Sequence, residues 1–368
     1  MKRSRATFKL AVRYCKDNVE QMRADACANS LLEKDANNFW KDVYHVSNKT
    51  ASSQVLSVGG VVGSANVCNL WQKHFETLYC QNVNSTYKPK FFDRLRELDM
   101  NLSAPSFDVD DVIRAVLKQK RNKAAGPDGI CMESYIFGGH RLCVLLCLAF
   151  NIFMKFGYLP GSFCLSTIMP LIKNKSGDSA DLNNYRAIAI SNSATKIIEV
   201  VLADIVESVD NADLYQFGFR KGLSTGLCTN VLKSTVNYYR QQGSHVFCSF
   251  IDFSKAFDSI DYWLLFYKML DCSRAPIYNI AIRLLCFWYS NQLMFVRWQG
   301  VESRCFYIAN GVRQGGILSP YLYRVYVTDL ISEVVLSGVG CGRLILVLSK
   351  MSGLDLEKHT CSSLLWAL

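Results

Sequence analysis

The sequence holds no apolar run long enough to cross a bilayer: the longest, Leu142 to Met154, is short and is interrupted by Asn151. A secretory leader is missing too, since Lys9 and Arg13 break what would be the apolar part of MKRSRATFKLAVRYCK. The 15 cysteines show no paired spacing; scattered and mostly inside apolar stretches, they read as reduced core thiols. His140, Cys143 and Cys147 share a helical face, but no second pair completes four ligands, so no zinc site is expected. Acids are in deficit, 31 against 41 Lys and Arg, and the net charge of +10 permits a polyanionic partner without identifying one. These absences lead us to expect a soluble, intracellular protein that does not use a membrane.

What is present is a chain of 368 residues, 50% hydrophobic, with ample material for a core. Residues 5 to 48 carry Leu10, Tyr14, Val19, Met22, Leu31, Leu32, Phe39, Trp40 and Val43 at helical intervals among many charges, which predicts amphipathic helices. A Ser, Gly and Asn-rich loop at 47 to 66 and a helix at 67 to 80 follow. The polar stretch 81 to 107 reads as a linker, and a domain boundary is expected there.

From Asp108 the apolar spacing of Val109, Val112, Ile113, Val116 and Leu117 predicts a helix running towards NKAAGPDGI. Arg121 and Lys123 sit near its C-terminal end, and Gly126-Pro127-Asp128-Gly129 forces a tight turn. A second helix is expected over 132 to 156, buried on most sides. CLSTIMPLIK and NYRAIAIS read as two strands joined by a polar connection. Such a ribbon, with Lys173 and Lys175 at its tip and Arg186 on its return strand, either holds a triphosphate or is a solvated edge guarded by lysines. The helix 194 to 209 is core. QFGFRKGLST, residues 216 to 225, interleaves aromatic residues with Arg220 and Lys221; the loop either contacts a nucleic-acid strand or is anchored in the core by its two phenylalanines.

VFCSFIDFSKAFD, residues 246 to 258, begins as a strand buried on both faces and ends its apolar run at Asp252. That carboxylate reaches a sheet rim, to hold a cation or to cap a helix starting near Lys255. Helices are predicted at 259 to 271 and 276 to 290, and strands at 293 to 300 and 303 to 309. In NGVRQGGILSP, residues 310 to 320, Gly315 and Gly316 allow close approach to a flat ligand, Gln314 can hydrogen-bond across it, and Ser319-Pro320 opens a helix.

Taken in order, NKAAGPDGI, NYRAIAISNSATKIIE, QFGFRKGLST, FIDFSKAFD and NGVRQGGILSP resemble the reverse transcriptases of non-LTR, LINE-like retrotransposons. The resemblance implies an α+β right-hand polymerase: a mainly helical segment and linker at 1 to 105, fingers at 106 to 245, a partial palm at 246 to 342 and a divergent tail at 343 to 368. It further implies RNA-directed DNA synthesis with an RNA template, a DNA primer, deoxynucleoside triphosphates and Mg2+. Asp252 matches the first metal-binding aspartate, and Phe253 lends its carbonyl to the same ion. Lys173 and Arg186 match the cations on the triphosphate, Phe257 the ring that crowds the sugar 2′ position, and Gln314 with Gly315 the loop beneath the nucleotide. Arg121, Lys123, Arg220 and Lys221 are the expected nucleic-acid contacts.

The family's second carboxylate pair, usually Tyr-Ala-Asp-Asp, is absent: after Gly342 the chain reads RLILVLSKMSGLDLEKHTCSSLLWAL. Two divalent ions need several carboxylates, so the chain as it stands is expected to be catalytically incomplete. The alternative is a dead remnant that still binds RNA or primer-template. Loss of the hairpin leaves the VFCSFI strand with an open edge, for which RLILVL, residues 343 to 348, is the candidate cover; Asp258 is expected to cap a helix or lie at the surface.

Overall fold

The computed structural model of the chain describes residues 2–33, 39, 57–80, 85–97, 107–174, 176–207, 216–220, 222–251, 253, 255–271, 276–336 and 364–367. It divides into two compact units, residues 1–56 and 57–368. In the first, helices α1 (Lys2–Asp17) and α2 (Val19–Leu32) meet at Asn18, whose amide donates to the Tyr14 carbonyl at 2.9 Å. Leu10, Tyr14, Met22, Leu31 and Leu32, read from spacing as an inward face, are exposed. Trp40 and Val43 lie outside the described residues.

The second unit opens with a two-residue hairpin, β1 (Ser57–Val58) and β2 (Val61–Val62), then α3 (Ser64–Leu78) and α4 (Tyr87–Glu97). These belong to the same compact unit as the strands and helices that follow, whereas the sequence reads α3 as preceding, and the residues of α4 as part of, a linker with a domain boundary at 81 to 107. The reason is packing. Trp71 of α3 is fully buried, its ring 4.7 Å from Tyr185 and 5.9 Å from Trp298, and Phe91 of α4 is buried against Trp263 and Phe266. Burying such rings contributes roughly 1.5–3 kcal/mol each, enough to hold a short helix that the intervening polar residues would not.

Next come α5 (Val109–Leu117), α6 (Met132–Ile136), α7 (Gly139–Phe156), α8 (Gly161–Cys164), β3 (Leu165–Ile172), β4 (Tyr185–Ser191), α9 (Ser193–Glu207), α10 (Thr225–Gln241) and β5 (Cys248–Ile251). The chain continues with α11 (Tyr262–Asp271), α12 (Pro276–Ser290), β6 (Leu293–Trp298), β7 (Val301–Glu302), β8 (Phe306–Tyr307), α13 (Ser319–Leu336) and β9 (Leu364–Ala367). This mixture of helix and sheet is an α+β fold.

The main sheet runs β4-β3-β6-β7, with β8 also on β6. β4 returns antiparallel on β3, pairing Ile172 with Tyr185 and Ser166 with Ser191, and burial alternates strictly along it. β6 lies parallel to β3, which requires the long helical crossover between them. The helices share one core: α5, α7, α9, α11, α12 and α13 all contribute buried side chains to it. α5 begins with a capping box between Asp108 and Asp111, and Ser224 caps α10 by accepting from the Leu227 N–H.

Several expectations change. The helix read over 132 to 156 breaks at Phe137 and Gly138, and its longer part, α7, buries only one face, through Cys143, Cys147, Phe150 and Met154. Leu145, Leu148, Ile152 and Phe156 are exposed, because only one stripe of the helix meets α5 and α12. By length and composition alone α7 could cross a membrane, but Asn151 on it exchanges hydrogen bonds with the Phe107 backbone at 2.6 and 3.1 Å, as a core helix does. Leu117 is exposed, and α5 stops there, leaving Arg121 and Lys123 on a following loop, not at the helix end. The strand before Asp252 is shorter than expected and begins exposed at Phe247 and Cys248. Its edge is covered antiparallel by β9, with Ile251 opposite Leu364; residues 343 to 348 lie outside the described residues.

Candidate functional site

The glycine-rich turn after α5 docks on the end of β4. A Cβ at Gly126 would stand 2.6 Å from the Asn192 Cα, so only glycine fits this approach. Asn192 then accepts from the Asp128 N–H at 3.1 Å and donates to the Ser162 carbonyl at 2.8 Å, while Ser193 donates to the Ile130 carbonyl. NKAAGPDGI and NYRAIAISNSATK are thus one corner of the fold.

A second corner forms where 257–261 runs against 310–312. The Val312 N–H donates to Phe257 at 2.7 Å, the Gly311 N–H to Ile260 at 2.8 Å, and Asp261 bridges antiparallel to Asn310. Gly311 has φ 86, and a Cβ there would sit 2.7 Å from the Asp258 carbonyl oxygen. Asn310, fully buried, donates to the carbonyls of Leu78 and Asp258, tying the end of α3 into the same corner.

Asp258 lies at its centre and is buried, not capping a helix or lying at the surface as its position next to a turn implied. Tyr79 donates its hydroxyl to Oδ1 at 2.8 Å, and Gln314 donates Nε2 to both carboxylate oxygens at 3.0 Å. Burial pushes the Asp258 carboxyl up, opposed by the bonds from Tyr79 and Gln314 and by the charges of Lys173 and Lys255. Burial and the neighbouring carboxylate push the Tyr79 phenol well above its ordinary value.

Lys173 and Lys255 act on this acid, and Arg186 lies beside Lys173. Lys173 lies just past β3, its Nζ donating to the Asn183 carbonyl at 2.7 Å, and Arg186 is opposite Leu171 on β4. Burial, then the Arg186 charge, hold the Lys173 ammonium below its ordinary value, and burial does the same to Arg186. The Arg186 Nε is buried without a hydrogen-bond partner. Lys255, at a positive φ of 55, is exposed and close enough to Lys173, Asp258 and His74 to act on each. A non-glycine residue in that conformation is held there at some cost, and such residues concentrate at functional sites.

The loop carrying Gln314 is anchored from below. Arg313 and Glu199 of α9 form an ion pair with side-chain exposures of 1% and 0%. Glu199 also accepts from the Ile317 N–H at 3.0 Å, the Arg313 guanidinium lies 4.6 Å from the Trp288 ring, and the Ser319 hydroxyl donates to the Arg313 carbonyl at 2.7 Å. Ser319 therefore serves the loop before α13, not the amides of that helix as its place before Pro320 predicts. From above, the Ala189 N–H on β4 donates to the Gln314 carbonyl at 2.9 Å.

Phe257 is buried, stacked on Tyr323 at 4.9 Å with 14° between planes, and Phe219 meets both rings edge-on. Phe219 is thus an anchor of the QFGFR loop, and Arg324 reinforces it by donating to the Phe219 carbonyl at 3.2 Å. Phe253 is 42% exposed. Gly315, at φ 113, is exposed beside Gln314. Arg121 is exposed and lies 5.0 Å from the Phe137 ring, Lys123 is exposed, and Arg220 is half-buried. Asp252 and Lys221, and Lys175 at the ribbon tip, lie outside the described residues.

Lys173, Asp258 and Gln314 therefore come together, with Gly315 next to Gln314, Phe257 next to Asp258 and Arg186 beside Lys173, while Arg121 and Lys123 lie on the loop that leads into the Gly126 corner. Sequence reading missed Tyr79, Lys255, Glu199 and Arg313. Arg313, Glu199 and Lys255 lie inside the motifs NGVRQGG, NYRAIAISNSATKIIE and FIDFSKAFD, which was a signal of place but not of partner; Tyr79 became visible only when distant segments met. Among the described residues, no group of three or more His, Cys, Asp or Glu comes together to hold a metal ion. Both Asp258 oxygens are already engaged, so the described donors alone do not fit Mg2+.

Comparison with known proteins points to the same chemistry. Residues 172–341 match the family model described as reverse transcriptase (RNA-dependent DNA polymerase). The chain is 27% identical over 246 residues to the probable RNA-directed DNA polymerase from transposon X-element of Drosophila melanogaster, which is 65% of this chain and 26% of the relative. It is 26% identical over 272 residues to the corresponding protein of transposon BS from Drosophila melanogaster, covering 71% and 29%. Over 269 residues it is 25% identical to the RNA-directed DNA polymerase from mobile element jockey of Drosophila funebris, covering 71% and 28%. The chain thus spans under a third of the length of these curated relatives. Lys173, Arg186, Asp258 and Gln314 all fall within the matched region, so residues 172–341 are similar to a reverse transcriptase domain, and these relatives are described as RNA-directed DNA polymerases of transposons and mobile elements.

Proposed function

We propose that residues 106 to 245 are the fingers and 246 to 342 a partial palm of an RNA-directed DNA polymerase, which holds a deoxynucleoside triphosphate against an RNA template and DNA primer. The observation that carries this reading is Lys173 acting on the Asp258–Gln314 corner with Arg186 beside it, the Arg186 Nε being buried and unpartnered. Lys173 and Arg186 on the β3–β4 pair, with Lys255 close to Lys173, repel until an anion arrives, and a triphosphate supplies both the charge and the acceptor oxygens. Gln314 and Gly315 form a flat floor between β4 and the 257–261 segment. Phe257, locked by Tyr323 and Phe219, is the ring that would crowd a sugar 2′ position.

The chain as it stands is, on this reading, catalytically incomplete. Reverse transcriptases use a divalent metal, and by resemblance Asp252 and the Phe253 carbonyl are its ligands here; the sequence offers no adjacent aspartates beyond Gly342. RNA and primer-template binding by an inactive domain is the second reading, favoured by the exposed Arg121 and Lys123 and the net charge of +10. The free state of every described cysteine supports an intracellular setting.

Primer extension on RNA with Mg2+ or Mn2+, run beside salt-dependent RNA binding, tests both readings. The expected result is binding that falls steeply with salt, a slope reduced by about one for each of Arg121→Ala and Lys123→Ala, and no extension. Binding insensitive to salt would refute the nucleic-acid reading. Extension that is lost in Asp252→Ala would refute catalytic incompleteness.

A further inference from the structure

We propose that Asp258 is a positioning residue that locks the Gln314 side-chain amide in one orientation, so that Gln314 presents its carbonyl oxygen to the nucleotide. This rests on the reading of the Gln314 loop as a nucleotide floor. An ionised carboxylate only accepts, so the group of Gln314 that faces both Asp258 oxygens at 3.0 Å must be the NH2. That settles an amide orientation that is otherwise ambiguous. Among the described residues no donor reaches the Gln314 Oε1, and the half-buried side chain therefore has this acceptor left to offer. A hydroxyl or amino donor on the ligand is what such an oxygen recognises.

The holder is itself held. Tyr79 fixes one carboxylate oxygen, Asn310 fixes the Asp258 carbonyl at 2.6 Å, the Asp258 N–H donates to Lys255 at 2.9 Å, and Gly311 closes against its backbone. The other end of Gln314 is tied to β4 through its own carbonyl. A side chain fixed from both ends meets its ligand without first losing rotamer freedom, which is how supporting residues raise affinity without touching the ligand.

Calorimetric titration of dATP into the full chain, with Asp258→Asn, Gln314→Ala and the double variant, separates positioning from general support. Asparagine offers one acceptor oxygen in place of two and frees the Gln314 amide to turn. The expected loss is about tenfold in affinity for Asp258→Asn in the native background, the worth of a hydrogen bond to a charged group. In the Gln314→Ala background the same change should cost less than about twofold. Equal losses in both backgrounds overturn the proposal. A second measurement needs no Asp258 variant: with 15N-glutamine labelling, the Gln314 NH2 signals, identified by their loss in Gln314→Asn, should exchange with water more slowly than those of exposed glutamines. Exchange as fast as theirs overturns the lock. A native chain that fails to bind dATP while keeping a protected amide overturns the nucleotide reading and leaves the Asp258–Gln314 lock standing.

Discussion

Replacing Glu199 by glutamine removes one charge from a pair that water does not reach, with 0% exposure at the acid and 1% at Arg313. The guanidinium would keep the Trp288 ring at 4.6 Å, the nearby Tyr289 phenol and a long contact of 3.5 Å to the Ser166 hydroxyl, none of them an anion, and its Nε already has no partner. Glutamine has one acceptor where Glu199 uses two, so either Arg313 or the Ile317 N–H also loses a hydrogen bond. An orphaned buried charge of this kind costs about 3–5 kcal/mol, against a typical total stability of about 5–15 kcal/mol. With a urea dependence of about 3 kcal/mol/M, the unfolding midpoint should fall by about 1–1.7 M. The double replacement Glu199→Leu with Arg313→Met should cost less than the single one, because it removes both charges and leaves the Ile317 N–H as the main loss, about 1–3 kcal/mol. Urea unfolding followed by far-ultraviolet circular dichroism measures all three. A cost below about 1 kcal/mol for Glu199→Gln would refute the claim that this pair holds the Gln314 loop in place.

Three further outcomes are expected. Gly311→Ala forces a Cβ to 2.7 Å from the Asp258 carbonyl at a φ of 86, and should lower stability by at least about 1–3 kcal/mol, whereas an unchanged melting temperature would contradict the close approach. Burial, with Lys255 and Lys173 nearby, holds the His74 imidazole below 6.5, so the unfolded chain takes up the proton first and stability is lost as pH falls from 6.5 towards the folded value. Melting temperatures across that range should fall less in His74→Gln; identical profiles would show that His74 does not titrate with folding. Phe257→Ala empties the stack on Tyr323, with an expected cost of about 3–5 kcal/mol by thermal unfolding, and should admit ribonucleotides more readily in calorimetric binding. Unchanged discrimination between ribo- and deoxynucleotides would refute the steric role.

Much of the local structure was legible because it is written in periods and turn residues. The alternation of β4, the apolar faces of α5 and α9, the Ser224 cap and the loops at Gly126 and Gly315 follow from spacing alone. Where reading failed, the cause was a contact distant in sequence. α7 looks apolar all round, yet only the stripe that meets α5 and α12 is buried. Asp258 follows a turn and reads as a cap, but it is enclosed by Tyr79, Asn310 and Gln314 from segments 179, 52 and 56 residues away. The pairing of β5 with β9 joins strands whose intervening residues carry no local sign of it.

By itself the sequence determined the likeness to reverse transcriptases, since ordered motifs survive as strings, and it named Lys173, Arg186, Gln314 and Gly315 as chemistry-bearing residues. Only the tertiary structure decided how they act together. That Arg313 pairs with Glu199 is written in neither motif, because the energy of the pair depends on both charges being taken out of water at once, and burial is a property of the packed chain. The same holds for the orientation of Gln314: its amide is symmetrical in shape, and what distinguishes its two ends is an acceptor-only carboxylate that the fold brings to 3.0 Å.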